Sequence, residues 1–92
     1  MTKVFVPTPL RPYTGGAPSV EVEAATVSDA LAALTRRHPD LQKQLYGSDG
    51  RLRAFVNVYL NEDDVRYLAH KYATPVRDGD TLSIVPSIAG GR

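Results

Sequence analysis

Two hydrophobic periodicities follow one another along this chain of 92 residues, and they predict strands on both sides of a helix. The segment SVEVEA, residues 19–24, alternates so that its valines and alanine share one side and its glutamates the other. This alternation is typical of a strand with one buried and one solvated face. The β-branched and aromatic stretch KVFV at 3–6 predicts a strand before it, and TLSIVP at 81–86 predicts the closing strand.

The period changes to that of a helix after the second strand. Four apolar residues follow the spacing i, i+3, i+4, i+7 of one amphipathic helix: Val27, Ala30, Leu31 and Leu34. Thr26 is the expected N-cap, and Asp29 stands three residues later as a variant of the capping box. Pro39 predicts the end of this helix, and Leu41 and Leu45 are compatible with a second short turn.

The segment LRAFVNVYLN, residues 52–61, is the strongest strand prediction because its two faces differ in chemistry. The side expected to face the helix is aliphatic: Ala54, Val56, Val58 and Leu60. The opposite side carries aromatic and amide groups: Phe55, Asn57, Tyr59 and Asn61. By the same alternation Phe5 and Val85 point away from the helix in their own strands.

We therefore expect one open face of the sheet to carry an apolar patch, formed by Phe5, Phe55, Asn57, Tyr59 and Val85. An exposed apolar patch with a polar rim marks a partner site, and aromatic anchors commonly dominate such sites. The alternative is that loop residues such as Leu10 and Tyr13 cover these side chains and make a second small core.

The connections contain the residues that turns require. LRPYTGGAP at 10–18 predicts a hairpin-type connection with glycines free to take positive φ, and RDGD at 77–80 predicts a tight turn at Gly79. NEDD at 61–64 predicts a turn, and 65–76 is ambiguous between a short strand and a turn with irregular chain. The order of elements predicts an α+β fold, with a mixed sheet of four to five strands packed on one main helix.

The composition of the chain argues against several classes of function. A formal charge of +1 without a basic and aromatic run argues against nucleic-acid binding. No apolar run approaches the roughly 18 residues of a membrane span, so we expect a cytoplasmic protein. The absence of cysteine excludes disulfides and a thiol nucleophile.

We expect no metal site, because the consecutive carboxylates of Glu62, Asp63 and Asp64 fit a solvated turn better than a cation site. The histidines, His38 and His70, stand alone, and no catalytic constellation is evident.

Four pieces of the chain resemble a known family: LRPYTGG at 10–16, FVNVYLNEDDVR at 55–66, DGDTLSIVP at 78–86 and AGG at 89–91. Together they resemble the ubiquitin-like β-grasp sulfur carriers of the ThiS/MoaD superfamily, and within it the CysO-type carriers of cysteine biosynthesis. The resemblance implies a β-grasp domain over residues 1–87, followed by a C-terminal tail, 88–92, that carries Gly-Gly.

The resemblance also implies a protein cosubstrate with no catalytic residues and no bound cofactor. The carboxylate of Gly91 would be adenylated by an E1-like enzyme that uses ATP, and then converted to a thiocarboxylate. Ile88, Ala89 and Gly90 would thread into that enzyme. A cysteine synthase-type acceptor would take the sulfur, and a JAMM-type metalloprotease would release the product. Arg92 departs from the family pattern, so it would first be removed.

Other functions remain open. A ubiquitin-like modifier would join Gly91 to lysines through the same adenylate, and a molybdopterin-synthase small-subunit-like carrier would deliver its sulfur to another acceptor. An interaction module with an inert, frayed terminus is a third class. The physical argument for the first two is that glycine has no side chain beside the attacked carbon and can adopt any φ that a narrow channel demands.

Overall fold

The computed structural model of the protein describes residues 1–53 and 56–86. Its helices and strands, in chain order, are β1 (Thr2–Phe5), β2 (Ser19–Val22), α1 (Val27–Arg37), α2 (Pro39–Leu45), β3 (Val56–Leu60), β4 (Asp63–Asp64) and β5 (Thr81–Pro86).

The five strands form one mixed sheet in the order β2-β1-β5-β3-β4. The last strand, β5, lies in the middle, parallel to β1 and antiparallel to β3. Rows of aliphatic side chains cross the sheet on one face, since Val4 is in register with both Val20 and Leu82, and Leu82 with Leu60. The predicted alternation of β1, β2, β3 and β5 is thereby confirmed.

Helix α1 packs on this aliphatic face. Its predicted apolar stripe is buried, and every residue of the stripe belongs to the same core cluster as the inward-facing strand residues. The predicted cap is also present, because Thr26 Oγ1 accepts a hydrogen bond of 3.1 Å from the backbone N–H of Asp29. This bond satisfies one of the amide groups that the first turn of a helix leaves unpaired.

The first helix ends before Pro39, as the sequence predicted, and a second helix follows it at once. Helix α1 ends at Arg37, and α2 begins at Pro39 itself and buries Leu41 and Leu45. The physical reason is that proline suits the first position of a helix, where its missing N–H would have no intrahelical partner. The predicted short turn is therefore a second helix.

The connections differ from the prediction in detail. The segment between β1 and β2 contains a 3₁₀ helix, Thr8–Thr14, which is followed by positive φ at Gly15 and Gly16. The predicted turn at 61–64 contains the two-residue strand β4, and the ambiguous segment 65–76 contains two more 3₁₀ turns, Val65–Tyr67 and Lys71–Ala73. Gly79 has positive φ, as predicted.

Two predicted strands are shorter than expected. Strand β2 stops at Val22, and Leu52, predicted to begin the third strand, instead makes an isolated bridge with Tyr46. The predicted inward position of Ala54 lies outside the described residues. Asn61, the last residue of the predicted strand and the first of the predicted turn, follows β3 and takes a left-handed conformation with φ of 57°.

Candidate functional site

The face of the sheet opposite α1 carries the predicted patch. Phe5 of β1, Ser83 of β5 and Tyr59 of β3 are in register across three neighbouring strands. Val85 and Asn57 form the next pair between β5 and β3. These positions alternate with buried core residues, so their side chains lie on the same, open side of the sheet.

Two members of the patch are exposed apolar side chains. Phe5 is 44% exposed and Val85 is 43% exposed, whereas Tyr59 and Asn57 are half-buried. The ammonium of Lys3 lies 5.8 Å from the centroid of the Phe5 ring, which places a cation at the margin of the patch. Phe55, also expected here, lies outside the described residues.

The exposure of Phe5 and Val85 argues against the alternative in which loop residues cover the patch. Tyr13, named as a cover, is itself exposed, and Leu10 packs instead against the main core cluster. Neither arrangement fits a second small core over Phe5 and Val85. The patch is available for contact, and its role in binding a partner stays a prediction.

The tail predicted to carry the chemistry follows β5. The last described residue, Pro86, is paired with Val56 at the start of β3, so the chain leaves the sheet at that end. Ile88, Ala89, Gly90, Gly91 and Arg92 lie outside the described residues, and their predicted roles stay predictions.

One exposed aromatic residue was missed by the sequence reasoning. Tyr67, in the 3₁₀ turn after β4, is 83% exposed, and the Arg66 guanidinium carbon lies 6.0 Å from the centroid of its ring. Arg66 is in turn held by an ion pair of 3.1 Å with Asp64. Hydrogen bonds from Arg66 keep the pKa of the Asp64 carboxyl below its usual range. No periodicity marks a segment this short, so no signal in the sequence could have found it.

The acidic turn does not assemble a cation site with other residues. Within 1–53 and 56–86 no three histidine or carboxylate side chains come together closely enough to hold a metal ion. Nor is any helix of this described part long and apolar enough to cross a membrane.

The five-stranded mixed sheet, with parallel first and last strands and a helix packed on one face, defines a ubiquitin-like β-grasp protein, as the sequence predicted. The sequence profile of the ThiS family matches residues 4–91, which is almost the whole chain. The chain belongs to the ThiS family.

Its relatives are small carrier and modifier proteins. The chain is 39% identical to the sulfur carrier protein CysO of Mycobacterium tuberculosis over 96% of each chain. It is 41% identical to a chain in the crystal structure of the Amycolatopsis orientalis BexX/CysO complex, with a TM-score of 0.85 and coverage of 99% of this chain and 100% of that one. The crystal structure of SAMP1 from Haloferax volcanii is 31% identical, with a TM-score of 0.82 and coverage of 98% of both chains.

Proposed function

We propose that this chain is a cytoplasmic sulfur carrier that serves in cysteine biosynthesis and carries its sulfur as a thiocarboxylate on Gly91. The observation that supports this most directly is the identity of 39% with a sulfur carrier over 96% of both chains. The family match also runs through residue 91, so it includes the glycine pair. The chain is not the catalyst in this proposal but the cosubstrate of an E1-like activating enzyme.

The chemistry requires activation because a carboxylate is a poor acyl donor, whose leaving group would be oxide. Attack of the Gly91 carboxylate on the α-phosphate of ATP gives an acyl-adenylate and pyrophosphate. A sulfur nucleophile on or supplied to the activating enzyme then forms the C–S bond as the C–O bond to AMP breaks. The enzyme's own groups stabilise the charge that develops in both steps.

Gly91 can react only when its carboxylate is free, so Arg92 must be removed first. Ile88, Ala89 and Gly90 then span the distance between the folded body and the reactive centre. In this proposal the open face around Phe5, Asn57, Tyr59 and Val85 docks on the activating enzyme, with Phe55 expected beside them. Phe5 and Val85 are both exposed and lie on the same face of two neighbouring strands, which supports that docking role.

The acceptor we propose is a cysteine synthase-type enzyme that holds an activated serine derivative. The thiocarboxylate sulfur displaces the leaving group on the serine β-carbon, and an S-to-N acyl shift leaves cysteine joined to Gly91 through an amide. A JAMM-type metalloprotease hydrolyses that amide and regenerates the carboxylate. The same protease class removes Arg92 in this proposal, since both bonds are amides to the Gly91 carbonyl.

The test uses three chains: residues 1–92, residues 1–91, and residues 1–91 with Gly91→Ala. Each is incubated with an E1-like activating enzyme, ATP and sulfide, and its intact mass is measured. We expect the unsubstituted 1–91 chain to gain the mass difference between a sulfur and an oxygen atom, and the 1–92 chain to keep its mass. The alanine variant should react far more slowly, because a methyl group stands beside the attacked carbon. A carboxylate mass that never changes in the 1–91 chain would refute the proposal.

A second candidate is supported by similarity to an archaeal modifier. The chain is 37% identical to small archaeal modifier protein 1 of Haloferax volcanii over 73% of this chain and 71% of that protein. A modifier would pass the same adenylate to lysine side chains. Isopeptide bonds between Gly91 and lysines of other proteins, found by peptide mass spectrometry, would favour this role; a thiocarboxylate alone would favour the carrier.

A further inference from the structure

A cavity lies on the helix-bearing side of the sheet, away from the open face. Its volume is about 430 Å³, and it opens between the start of α1, the loop after α2, the start of β3 and the two 3₁₀ turns that follow β4. Sites for small ligands typically have volumes of about 300–1,000 Å³. The cavity is therefore large enough for a small molecule or a short chain segment.

The lining combines an aliphatic wall with a concentration of positive charge. Leu31, Leu52 and Val56 form the aliphatic part. Three arginines, Arg51, Arg53 and Arg66, also line the cavity, and no aspartate or glutamate is among its described lining residues. Aliphatic side chains beside exposed guanidinium groups favour a ligand that is apolar in its body and negative at one end.

The three guanidinium groups differ in their present partners. Arg66 is held by Asp64, and Arg53 Nη2 donates a hydrogen bond of 3.1 Å to the carbonyl oxygen of Lys43. The Arg51 guanidinium makes no hydrogen bond or ion pair with any residue that the structure describes. Arg51 is therefore the group with donors to spare, and its planar fork matches the two oxygens of a carboxylate.

Neutral donors complete the site. Tyr46, Tyr72 and the Ser28 hydroxyl line the same cavity. Tyrosine hydroxyls are protonated at neutral pH and can donate to an anion, and burial raises the pKa of both tyrosines further. Ser28 belongs to the first turn of α1, where the helix dipole adds to the positive potential.

We propose that this cavity is a binding site for a carboxylate carried on a small apolar or aromatic group, with Arg51 as its main ionic partner. Such a carboxylate has two sources, a free small acid or the chain's own terminus at Gly91. The last described residue, Pro86, pairs with Val56 of the cavity wall, and five extended residues span about 17 Å. Only the second source rests on the proposed function.

The experiment is a titration of the full 92-residue chain with benzoate, followed by NMR of the tyrosine rings and arginine side chains. Signals of Tyr46, Tyr72 and Arg51 should shift together and saturate. Benzamide, which has the same ring without the charge, should bind at least tenfold more weakly. Equal binding of benzoate and benzamide would overturn the proposal, as would the absence of saturation.

Two matched variants distinguish binding in the cavity from a general effect of removing one positive charge. Arg51→Gln should weaken benzoate binding roughly tenfold, because it removes the available ionic partner without breaking a hydrogen bond to a described residue. Arg36→Gln, an exposed arginine of α1 that does not line the cavity, should leave the affinity unchanged. If Arg51→Gln binds as well as the parent, or both variants lose the same affinity, the assignment is wrong.

A further comparison identifies the source of the carboxylate. The 1–91 chain and the same chain with its terminus amidated are titrated in parallel. Weaker benzoate binding to the free acid shows that the Gly91 carboxylate competes for the cavity, and equal binding assigns the site to an external acid. No activating enzyme is present, so failure of this titration and failure of the sulfur-transfer assay are independent results.

Discussion

The Asn61 side chain connects the end of β3 to the start of β5 through hydrogen bonds. We expect that replacing Asn61 lowers the free energy of unfolding, and that two different replacements separate the contribution of the hydrogen bonds from that of backbone strain. Its side-chain Nδ2 donates a hydrogen bond of 3.3 Å to Asp80 Oδ1, and its Oδ1 accepts one of 3.1 Å from the backbone N–H of Thr81. Its φ of 57° lies in the left-handed region, which asparagine tolerates better than most residues.

The magnitudes follow from these two features. Two exposed hydrogen bonds contribute about 0.5 kcal/mol each at the lower end of the usual range. Alanine in a left-handed conformation costs roughly 1–2 kcal/mol. Asn61→Ala should therefore lower the free energy of unfolding by about 2–3 kcal/mol. Asn61→Gly loses the same bonds without the strain, and its greater freedom in the unfolded state costs about 0.5–1 kcal/mol. The glycine variant should thus be the more stable of the two by about 0.5–1 kcal/mol.

The assay is urea unfolding at fixed temperature and pH, with the slope m compared among variants so that only stability differs. Asn57→Ala is the control, because the Asn57 side chain makes no hydrogen bond with a described residue and its φ is negative. The control should lose less than about 1 kcal/mol, the span of strand propensities. Equal stability of the alanine variant and the parent would refute the reasoning, and an alanine variant as stable as the glycine variant would refute the strain component.

Three further predictions follow from single contacts. Thr26→Ala should lower the free energy of unfolding by about 1 kcal/mol through loss of the α1 cap, whereas Thr26→Ser should retain most of it; equal thermal midpoints for both would contradict this. Val85→Asp should weaken binding to the proposed activating enzyme at least tenfold while lowering the free energy of unfolding by no more than about 1 kcal/mol, because the side chain is already 43% exposed; an unchanged calorimetric affinity would argue against the docking face. Arg66 holds the pKa of Asp64 below its usual range, so this carboxylate contributes stability above its unfolded pKa of about 4, and the contribution is lost as pH falls through the lower folded value. Asp64→Asn should therefore lose less stability than the parent as pH falls below about 4, and coincident acid-unfolding curves would show the prediction to be wrong.

Hydrophobic periodicity predicted most of the fold because many residues contribute to each signal. The alternation in β2 and the stripe of α1 each follow from the geometry of burial on one side. Periodicity was less informative where one or two residues decide the outcome. Pro39 correctly predicted the end of α1, but it also begins α2, and the full length of α2 depends on its tertiary packing. Strand β4 has two residues, too few for any period.

Some features of the candidate site could likewise be predicted from the sequence, and others could not. The outward direction of Phe5 and Val85 could be predicted, since it follows from the inward direction of their neighbours. Tyr67 could not, because its segment has no regular period. The cavity could not either, since Ser28, Arg51 and Tyr72 come from separate segments that only the tertiary fold brings together.

The position of β5 between β1 and β3 has a consequence for how the molecule is made. Strand β1 leaves the ribosome early, yet the residues of its parallel neighbour are synthesised 78 residues later, so the sheet cannot be completed until residues 81–86 have emerged. A chain that terminates prematurely lacks both its central strand and whatever follows Pro86. Under the proposed function, only molecules that possess every strand can present the Gly91 carboxylate for activation, which would couple activation to completion of synthesis.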